Sequence, residues 1–273
     1  MDNRPIEEIR PVRDPVRGPI SAVIWDYDGT LVDSRIKNRH VNRTLVADIT
    51  DRPADDFPVL RSLEVYEAAD SRAANWRELY LLELGLTEEQ ADEAGRLWAS
   101  YQLKDETVTP FLDGIPEALA SLGHLPQGIV SQNGSQVILK ELEQAGLAGR
   151  FGCVIGYEEV GTERQKPAPD GLTTCLQTLT GLAPGIVFYI GDNETDGLSA
   201  AQANETFRRQ DLDIQMIMIA ATYGYPRDGA GWSVPADYVA HSPADVVAIV
   251  SHYPSADRNP SADRNPLSEE GRT

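Results

Sequence analysis

Short apolar runs alternating with helical patterns constrain this chain more than any other feature. The runs are "ISAVIW" (20–25), the start of "PQGIVSQNG" (126–134), "CVIG" (153–156), "GIVFYIG" (185–191), "IQMIMIAA" (214–221) and "DYVA" (237–240). Each has strand length. Between them lie "SQVILKELEQAG" (135–146) and "PAPDGLTTCLQTLTG" (167–181), and "SPADVVAIV" (242–250) follows the last. In the first of these, Val137, Ile138, Leu142 and Ala145 form one helical stripe that stops at Gly146. Strands that alternate with helices predict an α/β fold: a Rossmann-like parallel sheet with helices on both faces.

One block breaks the alternation. Residues 34–106 carry helical patterns and no strong strand. The clearest is "TEEQADEAGRLWASYQL", where Thr87 and Gln90 have capping-box spacing and Ala91, Ala94, Leu97, Trp98 and Tyr101 make an apolar stripe. Two further amphipathic helices are expected around Leu60, Leu63 and Glu67, and around Trp76, Leu79 and Tyr80. The block reads as an all-helical cap inserted after the first strand. The expected organisation is a loose arm at 1–18, a core at 19–33 and 107–251, a cap at 34–106 and a disordered tail at 252–273. That tail holds "SADRNP" twice, and two polar hexamers build no solenoid.

A net charge of −19 excludes general attraction to nucleic acid or to anionic membrane. The longest apolar run is far below the ~20 residues of a membrane span. The start lacks an apolar stretch of signal-peptide length, so a cytoplasmic protein is expected. Two cysteines, Cys153 and Cys175, support no disulfide framework or Cys-based zinc site, and are expected in the core.

Ligands of open parallel sheets gather at the carboxyl ends of the strands. The first strand here ends in Asp26 and Asp28, the second in Ser131, and the fourth in Asp192 with Asp196 beyond it. Lys166 precedes a proline-started helix. Clustered carboxylates repel unless a cation joins them, and oxygen ligands suit Mg²⁺, which binds phosphate alongside one or two carboxylates. Lysine and serine suit the remaining phosphoryl oxygens. Gly29 lets the backbone approach, so that nearby amides can face a phosphate. One carboxylate can attack phosphorus while its neighbour handles the proton. Each element has a plainer reading: "DYDG" as a solvated turn, Lys166 as a surface lysine, "GDNETD" as an ordinary helix start. An EF-hand is excluded because the third ligand spacing is missing and a strand comes first.

The four motifs in this order, "DYDGT" (26–30), Ser131 after a strand, Lys166 in "KPAPD" and "GDNETD" (191–196), resemble those of the haloacid dehalogenase-like superfamily of phosphotransferases. The helical insertion is similar to the cap of its phosphoglycolate phosphatase and β-phosphoglucomutase branch. The resemblance implies Asp26 as nucleophile and Mg²⁺ ligand, and Asp28 as general acid/base with its carbonyl on the metal. It implies Ser131 and Lys166 on the phosphoryl group, Asp192 on Mg²⁺, and Asp196 orienting Lys166 or supporting the metal shell. Gly29, Thr30 and Asn133 would support the phosphate site. An acid at position 28 argues against dehalogenation, which has no leaving oxygen to protonate. Trp25, Tyr27 and "SQNGS" depart from the commonest wording of the family without removing a catalytic group.

The implied activity is Mg²⁺-dependent hydrolysis of a small phosphorylated metabolite, phosphoglycolate- or sugar-phosphate-like, through an aspartyl-phosphate. The alternatives are a β-phosphoglucomutase-like phosphomutase, a non-catalytic phosphate-binding protein and, more weakly, phosphonate cleavage. A local basic run, "SRIKNRHVNRTLVA" (34–47), opens the cap. Arg39 and Arg43 are its candidate contacts to an anionic part of the substrate, against the commoner reading of a solvated helix face. Hinges are expected near 33–35 and 106–113, with Asp33 at the first.

Overall fold

The computed structural model describes residues 18–73, 75–225 and 231–254. Six strands form one parallel sheet: β1 (Ile20–Trp25), β2 (Gln127–Val130), β3 (Cys153–Ile155), β4 (Gly185–Gly191), β5 (Ile214–Ala221) and β6 (Tyr238–Ala240). Their order is β3-β2-β1-β4-β5-β6, so the direction of winding reverses between β1 and β4. All six apolar runs in the sequence are strands.

The helices, in chain order, are α1 (Arg35–Thr50), α2 (Leu63–Arg72), α3 (Trp76–Glu78), α4 (Glu88–Lys104), α5 (Ile115–Ser121), α6 (Ser135–Gln144), α7 (Tyr157–Val160), α8 (Asp170–Thr180), α9 (Glu194–Arg209) and α10 (Pro243–Ser251). Successive strand residues point to opposite faces. Val23, Trp25, Phe188 and Ile190 therefore meet Leu119 of α5, Leu142 of α6 and Ile249 of α10. Ala22, Ile24, Val187 and Tyr189 meet Leu176 of α8 and Phe207 of α9. Burial on both faces explains why these strands read as continuous apolar runs rather than alternating ones. Helix α9 was legible in the sequence only as a turn and helix start. Its polar content hides a narrow stripe of Ala200, Ala203 and Phe207 against the sheet.

The helical cap between β1 and β2 has a core of its own, built around Leu45, Leu60, Tyr66, Tyr80, Ala91 and Ala94. The capping box of α4 is formed: Gln90 N donates to Thr87 Oγ1 at 3.3 Å, and Thr87 N donates to Gln90 Oε1 at 3.0 Å. Asn75 caps the short α3, whose Trp76, Leu79 and Tyr80 lie in a helix that widens over Leu79–Glu83. The chain leaves and re-enters the core along adjacent paths. Asp33 N donates to Pro110 O and Leu112 N donates to Leu31 O, at 2.9 and 3.0 Å.

Residues 252–254, expected in the tail, are among the described residues and pack on the core. Tyr253 is buried, its hydroxyl lies 2.7 Å from that of Tyr238, and Ile20 N donates to Pro254 O. The arm before Gly18 and the repeated hexamer lie outside the described residues. Cys153 and Cys175 are both buried free thiols. No helix among the described residues is long and apolar enough to cross a membrane.

Candidate active site

The reversal of winding opens a crevice beyond the carboxyl ends of β1 and β4. Asp26 follows β1, Ser131 follows β2 and Asp192 follows β4, and all three are buried there. Lys166 reaches the same point from the turn before α8. Its Nζ donates to Asp26 Oδ1 at 2.6 Å and to Asp196 Oδ1 at 2.7 Å. Asp196 is fixed from two more sides, by Tyr189 Oη at 2.6 Å and by the backbone N of Asn193 at 3.0 Å. Asn133 Nδ2 donates to Asp28 Oδ2 at 3.1 Å, and Asn133 N donates to Ser131 Oγ at 3.1 Å. Asp26, Asp28, Ser131, Asn133, Lys166 and Asp192 all line one cavity of about 780 Å³.

Gly29 sits in the turn after Asp28 at φ 78°, a conformation that disfavours any Cβ. A Cβ there would also come within 2.6 Å of Asp192 Oδ2 and 2.7 Å of the Tyr225 ring. Glycine thus lets β1's turn touch the acid of β4. The amides of Gly29, Thr30, Leu31 and Val32 bond within this turn, to Val32 O or Tyr27 O. A phosphate would therefore meet the amides before Gly29. Thr30 is fully buried, and its hydroxyl has no partner among the described residues.

Burial pushes the Asp26 carboxyl up, to about 7; Lys166 pulls it down, and Asp196 and Asp28 push it further up. Burial alone would lower the Lys166 ammonium, but Asp196 and Asp26 outweigh it and hold that pKa above the ordinary range. Asp28 is raised chiefly by desolvation, with hydrogen bonds from Ser34 and Asn133 acting the other way. Carboxylate oxygens of Asp26, Asp192 and Asp196 lie within 4.8 Å of one another. These acids and Asp28 face a single lysine, so the cluster has surplus negative charge in a desolvated place. Such an all-oxygen donor set suits a hard cation. Asp196 is engaged by Lys166, Tyr189 and Asn193, which leaves Asp26 and Asp192 the better ligands.

Arg39 and Arg43 are not brought to this cavity. Arg39 donates to Arg61 O at 2.7 Å, and Arg43 to Leu60 O at 2.9 Å and Asp55 at 2.8 Å. They brace the turn before α2, because their positions on α1 face that turn rather than the cavity. Lys37, also on α1, is buried against Glu141.

Two groups of residues were missed from sequence. The turn after β5 brings Tyr223 and Tyr225 over the site, and Tyr225 Oη lies 3.1 Å from Ser34 Oγ. A Cβ at Gly224 would fall 1.8 Å from Gly29 O, so the two turns are in close contact. The rule that strand ends carry ligands pointed to this turn, but its residues are neutral. The second group is Tyr27, Lys37, Thr109 and Glu141, which meet across 114, 104 and 32 positions of chain and leave no local pattern.

The model of the family described as haloacid dehalogenase-like hydrolase matches residues 23–208. A phosphoglycolate phosphatase of Synechococcus elongatus is 26% identical over 242 residues, covering 85% of this chain and 98% of that one. One from Cereibacter sphaeroides is 28% identical over 200 residues, covering 68% and 82%. Among solved structures, a haloacid dehalogenase-like family hydrolase of Streptococcus pneumoniae superposes with a TM-score of 0.63 at 23% identity, covering 84% of this chain and 98% of that one. A subfamily IA hydrolase of Geobacter sulfurreducens gives 0.56 at 22%, covering 85% and 97%. At these identities the structural likeness speaks for the fold. The family match spans the first acidic turn, Ser131, Lys166 and the Asp192–Asp196 turn in one stretch, and by it this chain belongs to the haloacid dehalogenase-like hydrolases.

Proposed function

We propose that this chain is a Mg²⁺-dependent phosphatase that cleaves a small phosphate monoester through an aspartyl-phosphate on Asp26. The observation that carries this reading is the position of Lys166 Nζ, between Asp26 at 2.6 Å and Asp196 at 2.7 Å, on the floor of a large cavity. Relatives that share the chain's length are named phosphoglycolate phosphatases. A phosphoglycolate- or sugar-phosphate-like ester is the corresponding substrate class.

Asp26 Oδ attacks phosphorus, and the bond to the leaving oxygen breaks. Asp28, two residues on in the same turn, gives that oxygen its proton and then takes one from the water that hydrolyses the acyl phosphate. Desolvation raises its pKa above the ordinary carboxylate value, the direction that favours a proton donor. Lys166 and Ser131 hold phosphoryl oxygens, while Asp196 and Tyr189 keep the ammonium in place. Asp26, Asp192 and the backbone carbonyl of Asp28 would hold Mg²⁺, which supplies neutralisation of phosphoryl charge when bound. The cap excludes water during transfer, turning about the paired segments at 31–33 and 110–112.

The test is phosphate release from a panel of small monoesters with Mg²⁺, beside the Asp26→Asn variant. Release that needs both Mg²⁺ and Asp26 is the expected result. Isomerisation of glucose 1-phosphate to glucose 6-phosphate without release would mark a mutase. Inertness toward every ester would contradict both.

A further inference from the structure

Resting on the phosphatase reading, we propose that the cap wall selects an ester whose leaving group is a neutral polyhydroxy compound of sugar or nucleoside size, and disfavours a carboxylate-bearing one. Three observations carry this.

The first is charge. The cationic side chains lining the cavity, among the described residues, are Arg35, Arg77, Arg96 and Lys166. Arg35 is clamped by Asp33 at 2.6 Å and Glu67 at 2.9 Å. Arg77 is paired with Glu88 and Asp92, and Arg96 with Glu93 at 3.1 Å. Lys166 serves the phosphoryl end. Every guanidinium on the wall already has its carboxylate, and Asp70 lines the cavity as well. A carboxylate on the leaving group would enter a wall that repels it.

The second is the chemistry above the phosphoryl floor. Neutral groups meet there in pairs. Gln102 Nε2 donates to Asn38 Oδ1 at 2.8 Å, Tyr80 Oη to Asn42 Oδ1 at 2.8 Å, and Asn42 Nδ2 to Tyr66 Oη at 3.0 Å. Asn38, the part-exposed amide of this set, accepts from Gln102 and gives one N–H to Ser34 Oγ at 3.2 Å, so one N–H and one carbonyl lone pair remain for a hydroxyl. Trp76 and Trp98 add aromatic surface to the same wall. Amides beside aromatic rings suit hydroxyls set on an apolar ring.

The third is size. A cavity of about 780 Å³ lies in the range that holds a ligand of drug size, and a two-carbon acid would leave much of it to water.

The experiment compares kcat/KM for phosphoglycolate, for a hexose or ribonucleoside monophosphate, and for an aryl phosphate without hydroxyls, all with Mg²⁺. The polyhydroxy ester should exceed phosphoglycolate by at least about tenfold, the scale of one or two hydrogen bonds. Asn38→Leu should lower kcat/KM for the polyhydroxy ester roughly three- to tenfold more than for the aryl ester, the difference lying in KM. Glu67→Gln, at a part-exposed position, frees one side of Arg35 and should raise kcat/KM for phosphoglycolate roughly threefold. Phosphoglycolate matching or exceeding the polyhydroxy esters would overturn this inference and leave the phosphatase reading intact, as would an equal loss on all three esters in Asn38→Leu. No hydrolysis of any ester would overturn the phosphatase reading and this inference with it.

Discussion

Lys37, on the first helix of the cap, forms a buried ion pair with Glu141 of the core, with Nζ 2.5 Å from Oε1. Two further donors meet the same carboxylate. Tyr27 Oη bonds to Glu141 Oε2 at 2.8 Å, and Thr109 Oγ1 to Oε1 at 3.0 Å. Tyr27 stands between Asp26 and Asp28, and Thr109 lies on the return path from the cap. One carboxylate thus joins the Asp26–Asp28 turn, the cap and the connection between them.

Removing one member of such a pair leaves a charge buried without its partner. Glu141→Leu should destabilise the fold by about 3–5 kcal/mol. The double variant Lys37→Met/Glu141→Leu should recover most of that loss, because no orphaned charge remains. Urea unfolding of the two single variants and the double variant measures it. Equal stability of Glu141→Leu and the double variant would show that the pair carries no such weight.

Asp28 is the proposed proton donor. Asp28→Asn keeps the shape and the contact with Asn133 while losing the acid. Its kcat for esters with poor leaving groups should fall by about 10²–10⁴-fold. Esters with a good leaving group, such as an activated phenol, need less protonation and should lose less. An equal loss across leaving groups would place the role of Asp28 elsewhere.

At Gly29, a methyl group would meet both Asp192 and Tyr225, and the backbone is left-handed. Gly29→Ala should cost about 1–2 kcal/mol from conformation alone. Moving Asp192 should also weaken metal binding, seen as a higher Mg²⁺ concentration for half-maximal activity. Unchanged Mg²⁺ dependence would show that the turn yields without moving the acid.

Away from the site, Trp25 Nε1 donates to Gln127 Oε1 at 2.9 Å inside the sheet core. Gln127→Leu leaves the indole N–H unmet. It should destabilise by about 1–3 kcal/mol with little change in kcat, measured by thermal unfolding and turnover.

What the sequence disclosed follows from the range of the interactions. The six strands were legible because burial on both faces makes them apolar throughout, and Asp26, Ser131 and Asp192 because strand ends fix where ligands gather; Lys166 was legible only through its place before a proline-started helix in the order of motifs. The cap showed through the helical period of α4 and its capping box. Arg39 and Arg43 misled because charge in a sequence says nothing of direction: on α1 they turn toward Leu60 and Arg61, away from the cavity. Tyr225 and Glu141 were invisible for a related reason. Each matters through contacts with distant parts of the chain, and no local pattern records them.

The proposed reaction rests on phosphoryl transfer to Asp26. Its most direct measurement is rapid acid quench of the enzyme turning over a good ester with Mg²⁺, followed by peptide mass spectrometry. The expected result is a phosphoryl adduct on Asp26 that grows within one turnover, is absent in Asp26→Asn and disappears under chelation. Steady phosphate release by Asp26→Asn at the native rate would contradict it.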